Sequence, residues 1–248
     1  LNIPFGGAKG GLQIVPNDYK KDMKKICEAF VEKLSNIIGS SKDIPAPDIG
    51  VTSENIDWMA SHYCKLTGSV TNMSAFTGKT VPLHGCVSRE YATGYGVCHV
   101  IKNWYEHVFH KNLNGRTFII QGMGNVGKWT TFFLWKNKCR CLAVADHTGY
   151  FLIKSVDIGQ ILNYIEVHKT LKKIQDNFSN SLEEISREAF WKTKVDIVIP
   201  AAKEFQIDKK IADTLSCNLV VEGANAPCTV EVDDILKHRS IEIIPDIL

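Results

Sequence analysis

The sequence predicts an α/β protein built around a parallel sheet with both faces covered, and three observations support this. Short apolar segments without polar interruption are typical of strands buried on both faces of such a sheet. These predicted strands are 117–120, 141–145, 195–199, 219–221 and 241–244. Helical patterns alternate with some of these segments, as in proteins whose helices cover a parallel sheet. The chain has 248 residues, 44% hydrophobic and 23% charged, enough to bury a substantial core.

The first part of the chain carries two helical patterns. Apolar residues recur every three or four positions from Met23 to Ile37, which predicts a helix that begins near Asn17 and ends by Gly39. A second helix is predicted over residues 53–66. Between the two helices, Pro45 and Pro47 hold residues 43–50 in an extended loop.

The pattern changes after residue 86. Residues 73–88 contain Gly, Pro and Thr without periodicity, which is typical of a crossing between two structural units. A helix over residues 91–107 then leads into the alternating strands and helices. We therefore expect two units, residues 1–86 and residues 87–248.

Charge and composition exclude several classes of function. The 29 Lys and Arg residues against 27 Asp and Glu residues give a net charge of +2, too small for a nucleic-acid or anionic-membrane binder. No apolar run approaches the roughly 20 residues of a membrane span. The eight cysteines show no Cys-x-x-Cys spacing, so we expect reduced intracellular thiols and no metal site.

A glycine motif follows the first predicted strand of the second unit. Gly122, Gly124 and Gly127 have the Gly-x-Gly-x-x-Gly spacing between a strand and a helix, which predicts a Rossmann-type dinucleotide site. Asp146 stands nineteen residues after Gly127, at the end of the next strand, where a carboxylate accepts ribose hydroxyls and favours NAD over NADP. An ordinary glycine turn, and a turn role for Asp146, are the alternatives.

Two further side chains are candidates for catalysis. Lys9 lies between Gly6-Gly7 and Gly10-Gly11, so a ligand can approach it closely, and a desolvated ammonium there would polarise a carbonyl or activate water. Asp48 follows Pro47 on the stiff loop and would act as an acid/base group. The alternatives are a solvated lysine in a glycine loop and a carboxylate that caps the following helix.

Several motifs, taken together and in order, resemble those of the glutamate dehydrogenase family, which includes leucine, phenylalanine and valine dehydrogenases. The resemblance spans nearly the whole chain. The segments that carry it are 3–11, 43–50, 77–79, Arg89 with 92–97, 121–127, 200–202 and 222–225. The pair Gly10-Gly11 after the lysine favours the glutamate branch.

The resemblance implies reversible oxidative deamination of L-glutamate to 2-oxoglutarate and ammonia, with NAD, or alternatively NADP, as cofactor. Lys9 would then activate water and stabilise the carbinolamine, while Asp48 would carry protons to and from the substrate nitrogen. It also implies that Arg89 is a cation on the substrate side or one that organises a loop. The implied cofactor-binding residues are Thr93, Gly122, Gly124, Asn125, Val126, Gly127, Asp146, Ala201 and Asn225.

By the same resemblance, residues 1–86 are part of a substrate domain of the dimerisation type, and residues 87–248 are a Rossmann-type domain truncated at its C-terminal side. The family forms homohexamers, so we expect a homo-oligomer of the full-length protein, in the cytoplasm or in mitochondria. We also expect that the chain is a fragment, which puts its activity in isolation in doubt. The alternatives are a leucine, valine or phenylalanine dehydrogenase, or a noncatalytic dinucleotide-binding relic.

Overall fold

The computed structural model describes residue 4, residues 6–48 and residues 50–248, with the side chains of Pro16 and Asn17 left out. Leu1, Asn2, Ile3, Phe5 and Ile49 lie outside the described residues, and three of them belong to the motif segments named above. The chain divides into two compact units, Leu1–Arg89 and Glu90–Leu248. This division falls close to the sequence boundary expected at residues 86 and 87.

The first unit is helical in its described part. Its helices are α1 (Pro16–Tyr19), α2 (Met23–Leu34) and α3 (Ser53–Thr67), and two 3₁₀ turns follow at Val70–Ala75 and Val81–Leu83. The helix expected from Asn17 to Gly39 is thus two helices, because a turn separates α1 from α2 and the regular helix ends at Leu34. Asn17 lies inside α1 and does not cap the longer helix.

Local sequence signals set both ends of α3. The Thr52 side chain accepts a hydrogen bond from the Asn55 backbone N–H, and the Asn55 side chain accepts one from the Thr52 N–H, which forms a capping box. Gly68 ends the helix in the left-handed conformation, at φ +70°. The buried face of α3 packs on the buried face of α2 and forms the core of this unit with Phe76.

The second unit contains a seven-stranded sheet in its described residues, with the order β4-β3-β2-β1-β5-β6-β7. The strands are β1 (Thr117–Gln121), β2 (Arg140–Asp146), β3 (Gly149–Ile153), β4 (Leu182–Ile185), β5 (Ile197–Pro200), β6 (Leu219–Val221) and β7 (Glu242–Ile244). The five strands predicted from sequence are all present and pair in parallel. The sheet itself is mixed, however, because β3 and β4 add an antiparallel edge that the sequence analysis did not predict.

Helices cover both faces of the sheet. They are α4 (Ala92–Val108), α5 (Asn125–Lys136), α6 (Ile158–His168), α7 (Ile174–Phe178), α8 (Arg187–Lys192), α9 (Lys209–Ala212) and α10 (Val232–His238). Successive residues of β1 enter different cores: Phe118 and Ile120 pack with α4, α5 and α6, whereas Ile119 packs with α8, α9 and α10. This alternation is the reason the strands read as continuous apolar runs.

The parallel strands place their carboxyl ends at one edge of the sheet. Gln121, Asp146 and Pro200 are the last residues of β1, β2 and β5, and the segments that follow them lie close together at that edge. Within the described ranges, no helix has both the length and the apolar character needed to cross a lipid bilayer.

Candidate dinucleotide loop and catalytic pair

The turn after β1 requires glycine at its first position. Gly122 has φ +98°, and its N–H donates to the Ala145 carbonyl oxygen at 2.7 Å. A Cβ atom at Gly122 would lie 2.5 Å from the carbonyl oxygen of Ala201, on the segment after β5. Both the backbone angle and the close approach therefore exclude a side chain here.

The other two glycines of the motif have opposite surroundings. A Cβ atom at Gly127 would lie 1.7 Å from the Gly122 carbonyl oxygen, so Gly127 lets α5 start directly against the turn. Gly124 precedes α5 as its N-cap, and a Cβ atom there would meet nothing within 4 Å. Gly124 thus leaves open space beside the N-terminus of a twelve-residue helix, where N–H groups and the helix dipole favour a phosphate. The loop fits a dinucleotide pyrophosphate.

The start of α4 is held beside the start of α5. The Asn125 side-chain amide donates to the Glu90 carbonyl oxygen at 2.7 Å. At Gly94, a Cβ atom would lie 2.5 Å from the Cβ of Trp129 and 2.6 Å from the Thr130 nitrogen, so glycine permits the two helices to touch. Thr93, exposed on the first turn of α4, is therefore placed near the glycine loop. Val126, in the first turn of α5, is half-buried.

The segments after β5 and β6 are tied together at the same edge. The Ala201 N–H donates to Gln121 at 2.7 Å, and the Pro200 carbonyl oxygen accepts from Gly223 and Ala224 at 3.0 and 3.1 Å. Asn225, exposed, lies in the loop that begins at Ala224. Ala201 and the loop that carries Asn225 are thus held together close to Gly122.

Glu222 organises the loop that carries Asn225, a role that the sequence analysis did not assign. One carboxylate oxygen accepts from the Cys228 N–H at 3.3 Å, and the other accepts from the Asp246 N–H at 3.1 Å. The Asp246 carboxylate in turn accepts from the Ala226 N–H at 2.8 Å. The position of Glu222 in the Glu-Gly-Ala-Asn segment was a signal for this role.

Asp146 has a different environment from the one expected. Its Oδ1 accepts from the Thr148 N–H at 2.7 Å and the Thr148 hydroxyl at 2.5 Å. Its Oδ2 accepts from the Leu171 N–H at 2.7 Å and the Thr170 hydroxyl at 3.0 Å. The side chain is only 9% exposed. Since four donors of the chain itself occupy this carboxylate, a ribose would have to displace them to bind there.

The same hydrogen bonds set the protonation state of Asp146. Burial acts to raise the pKa of this carboxyl, but the bonds from Thr148, Leu171 and Thr170 together outweigh burial and hold the pKa below its usual value. The carboxylate therefore joins the β2–β3 turn to the segment after α6 as an anion.

Lys128 directly follows the last glycine of the motif, but its ammonium forms ion pairs with the carboxylates of Glu166 and Glu90. Its ammonium lies 2.7 Å from Glu166 and 3.7 Å from Glu90, and it stands 4.8 Å from the centre of the Trp129 ring. The bond from Lys128, with a second from Lys169, lowers the pKa of Glu166 to about 2. Lys128 therefore contributes to the packing of α5 against its neighbours and is only 16% exposed.

The first unit brings its two catalytic candidates into direct contact. The Lys9 ammonium donates to the Asp48 carboxylate, although 39 positions separate the residues. The Lys9 side chain is 83% exposed and the Asp48 side chain 58% exposed, so both groups are open to a ligand. In this structure the ammonium is solvated, and the desolvation expected of Lys9 has no source among the described residues of its own unit. Spacing alone gave no sign of the contact.

The glycines around Lys9 have open space on their side-chain side, as far as the described residues show. Cβ atoms at Gly6, Gly7, Gly10 and Gly11 would find nothing within 4 Å, so backbone can be approached on both sides of the lysine. Arg89, the predicted substrate-side cation, is exposed at the end of this unit. Among the described residues its guanidinium forms no ion pair with a carboxylate, so it is not held in a surface salt bridge.

The sheet order, the glycine turn and the helix that follows it define a protein with a Rossmann-type α/β domain. Two family models match the chain. Residues 85–248 match the model described as Glutamate/Leucine/Phenylalanine/Valine dehydrogenase, and residues 1–65 match the Glu/Leu/Phe/Val dehydrogenase, dimerisation domain. The chain therefore belongs to the Glu/Leu/Phe/Val dehydrogenase family.

Individual relatives agree with this assignment. The chain is 37% identical to an NADP-specific glutamate dehydrogenase of Saccharolobus shibatae over 100% of this chain and 57% of that protein. It is 32% identical to an NAD-specific glutamate dehydrogenase of Peptoniphilus asaccharolyticus over 100% of this chain and 59% of that protein. A solved glutamate dehydrogenase of Plasmodium falciparum superposes with a TM-score of 0.82 and 28% identity, over 91% of this chain and 49% of that chain. The chain thus spans little more than half the length of these curated relatives.

Proposed function

We propose that the full-length protein catalyses reversible NAD(P)-dependent oxidative deamination of L-glutamate to 2-oxoglutarate and ammonia. The observation that carries the proposal is the contact between Lys9 and Asp48, two exposed groups of opposite charge on separate loops. This chemistry needs a cation beside a carbonyl oxygen and a carboxylate beside a nitrogen. The names of the two relatives support glutamate as the substrate.

Asp48 moves the protons of the reaction. In the direction of deamination it takes a proton from the substrate ammonium, which leaves a neutral amine able to release a hydride from its α-carbon. After water has added to the resulting iminium, Asp48 returns a proton to the nitrogen, and ammonia leaves. A carboxylate on an exposed loop can exchange protons with solvent between these steps.

Lys9 acts on oxygen. Its ammonium orients the attacking water and stabilises the negative charge that develops on oxygen in the carbinolamine and on the carbonyl of 2-oxoglutarate. Because the Lys9 ammonium is hydrogen-bonded to the Asp48 carboxylate, a proton can pass directly between the two groups. Because glycines flank Lys9 and leave open space, the substrate can approach this pair without a steric barrier from them.

The second unit would hold the cofactor. Gly122, Gly124 and the N-terminus of α5 would receive the pyrophosphate, and Thr93, Asn125, Val126, Ala201 and Asn225 are the proposed neighbouring contacts. When bound, the nicotinamide supplies the acceptor for the hydride. Asp146 gives no basis for a preference between NAD and NADP, since donors within the chain occupy its carboxylate. Both cofactor classes occur among the relatives.

We further propose a homo-oligomer in the cell interior, in the cytoplasm or in mitochondria. The match of residues 1–65 to a dimerisation-domain model supports assembly through the first unit. All eight cysteines are free thiols, seven of them wholly or partly buried, which supports a reducing compartment. Arg89 is proposed as a cation on the substrate side.

Initial rates test the proposal directly. The full-length protein is assayed with glutamate, leucine and phenylalanine, each with NAD and with NADP. We expect glutamate to give the highest kcat/KM, and Asp48→Asn to abolish turnover while NADH binding stays unchanged. A faster rate with leucine or phenylalanine would assign the protein to another branch of the family. Absence of turnover with all three, in protein that binds NADH, would identify a noncatalytic relic.

A further inference from the structure

The first unit contains a buried carboxylate that the proposed reaction does not use. Asp57 lies in α3 and is only 8% exposed. Burial of an ionised carboxylate is costly unless hydrogen bonds compensate it. Here both oxygens bind one residue: Oδ1 accepts from the Thr80 N–H at 2.9 Å, and Oδ2 accepts from the Thr80 hydroxyl at 2.6 Å. Asp57 therefore fixes a residue 23 positions further along the chain.

Thr80 is in turn the centre of the segment that follows α3. Its carbonyl oxygen accepts from the Leu83 N–H at 3.0 Å and from the Gly85 N–H at 2.9 Å. With its N–H and hydroxyl on Asp57, every polar group of Thr80 has a partner within the unit. The carboxylate of Asp57 thus sets the position of residues 77–80 relative to α3.

Residues 77 and 78 support the loop that carries Asp48. The Thr77 N–H donates to the Pro45 carbonyl oxygen at 3.1 Å. Gly78, at φ +84°, packs closely on Pro47. A Cβ atom at Gly78 would lie 2.5 Å from the Cδ and Cγ atoms of that proline. Pro47 directly precedes Asp48. The segment fixed by Asp57 is therefore in contact with the residue adjacent to the proposed proton carrier.

We propose that Asp57 is a positioning residue for Asp48, acting through Thr80, Gly78 and Pro47. This inference depends on the proposed function, in which Asp48 carries the protons of the reaction. The loop itself is exposed at Asp48 and cannot hold that carboxylate by burial. Besides the contact with Lys9, the orientation of Asp48 toward a substrate nitrogen depends on the support beneath Pro47. An error of about 1 Å in the position of such a group costs about 100-fold in rate.

Four variants of the full-length protein test the inference. Asp57→Asn and Thr80→Val each remove part of the bond between α3 and residue 80, and Gly78→Ala displaces Pro47 without any change at Asp57. We expect each to lower kcat by about 10- to 100-fold while KM for glutamate changes less than about threefold. The fourth variant, Thr80→Ser, keeps the hydroxyl and is expected to retain the parent kcat.

Tyr63→Phe is the matched control. Tyr63 is buried on the same helix, and its hydroxyl donates to the Ile38 carbonyl oxygen at 2.7 Å. Phenylalanine keeps the edge-on contact of the ring with Phe76 and removes only the hydrogen bond to Ile38. We expect Tyr63→Phe to lower Tm as the other variants do, but to leave kcat per folded molecule unchanged. NADH binding, measured by fluorescence, is expected to stay the same in all five proteins.

The outcomes separate this inference from the proposed function. Full turnover of Asp48→Asn would refute the proposed function, whatever the Asp57 variants do. If Asp48→Asn is inactive while folded Asp57→Asn and Thr80→Val keep the parent kcat, the proposed function stands and the positioning role of Asp57 is refuted. Equal loss of kcat in Tyr63→Phe would also refute it, because any destabilisation of α3 would then suffice.

Discussion

At the scale of single residues, the surroundings of a side chain decide its role more than its place in a motif. Asp146 stands where a ribose acceptor is expected, but Thr148, Thr170 and Leu171 fill its acceptor positions. Lys9, in contrast, lies in a glycine-rich loop that would equally suit a solvated lysine, and yet its ammonium contacts Asp48. The four donors around Asp146 therefore favour a structural role for this carboxylate.

The first prediction concerns Asp146. We expect Asp146→Ser to lower the free energy of unfolding by roughly 2–4 kcal/mol, because several buried donors lose a charged acceptor. Thr170→Val removes one donor and should cost about 1 kcal/mol. The ratio of kcat/KM with NAD to that with NADP should not change in either variant. Urea denaturation and initial rates measure both effects, and a shift of the ratio toward NADP would restore Asp146 as a ribose contact.

The second prediction compares two exposed ion pairs in the same unit. Lys9–Asp48 and Lys25–Asp22 have similar exposure, with lysine side chains 83% and 81% exposed. Because exposed pairs stabilise proteins little, Lys9→Ala and Lys25→Ala should each leave Tm nearly unchanged. Only Lys9→Ala should reduce kcat, by at least about 100-fold.

Lys9→Arg extends this comparison. A guanidinium keeps the charge but is planar and larger than an ammonium, so it should lower kcat almost as much as alanine does. Steady-state kinetics beside thermal melts of the three variants check these statements. Near-normal turnover of Lys9→Arg would show that charge alone suffices and would contradict the assigned geometry.

At the scale of elements, the sequence allowed prediction of what periodicity and glycine spacing encode. The strand–turn–helix from β1 to α5 and the five parallel strands were predictable, since buried parallel strands are continuously apolar. β4 was not, because two exposed glutamates, Glu183 and Glu184, occupy the middle of an edge strand. β3 begins at Gly149, the last residue of the turn at 146–149. The sequence indicated this turn but not the strand that starts within it.

Contacts between segments that are distant in the chain could also not be predicted from the sequence. The pairing of Lys9 with Asp48 and that of Asp57 with Thr80 span 39 and 23 positions, and neither follows from a local pattern. Asp57 is a polar residue next to the apolar face of α3. From its position on the helix alone, Asp57 would be placed at the boundary with solvent. Its burial depends on residues 76–80 returning over the helix.

The third prediction separates the two roles of glycine at the start of α5. Gly127→Ala should destabilise the protein by about 2–3 kcal/mol, because its Cβ would lie 1.7 Å from a carbonyl oxygen. Gly124→Ala should cost less than about 1 kcal/mol, since its Cβ meets open space. Gly124→Ala should nevertheless weaken NADH binding at least about tenfold, as the methyl group occupies the path of the pyrophosphate. Calorimetric titration gives the Kd, and unchanged affinity would place the pyrophosphate elsewhere.

At the scale of the whole molecule, each unit has its own core and, in the proposed function, its own chemical task. The unit Leu1–Arg89 contains the helical core and the Lys9–Asp48 pair, and the unit Glu90–Leu248 contains the two cores of the sheet and the glycine loop. Conditions that weaken one unit therefore remove one part of the proposed function. Two of the carboxylates with lowered pKa, Asp146 and Asp196, accept hydrogen bonds from backbone N–H groups of other segments, and both lie in the second unit.

Asp196, directly before β5, binds Thr117, the first residue of β1. Its carboxylate accepts from the Thr117 N–H and hydroxyl, both at 2.8 Å, and lies 3.3 Å from the Arg116 guanidinium. Burial acts to raise the pKa of Asp196, and these partners together hold it below its usual value. Asp196 and Asp146 thus resemble each other, as anions that bind backbone N–H groups at opposite ends of the sheet.

The last prediction is that acid weakens the second unit through Asp146 and Asp196. A carboxyl whose pKa is lower in the folded state binds fewer protons than in the unfolded state, so its stabilisation is complete above the unfolded value, about pH 4. That stabilisation declines as the pH falls below about 4 and is lost once the pH passes through the folded pKa. Urea denaturation between pH 3 and pH 7 should therefore show a steep loss at the acid end, with amide exchange in β1 and β2 accelerating first. Asp146→Asn and Asp196→Asn should each make the free energy of unfolding depend less on pH, whereas Asp213→Asn, at an exposed position, should not. An equally steep loss in the double variant would assign the acid sensitivity to other groups.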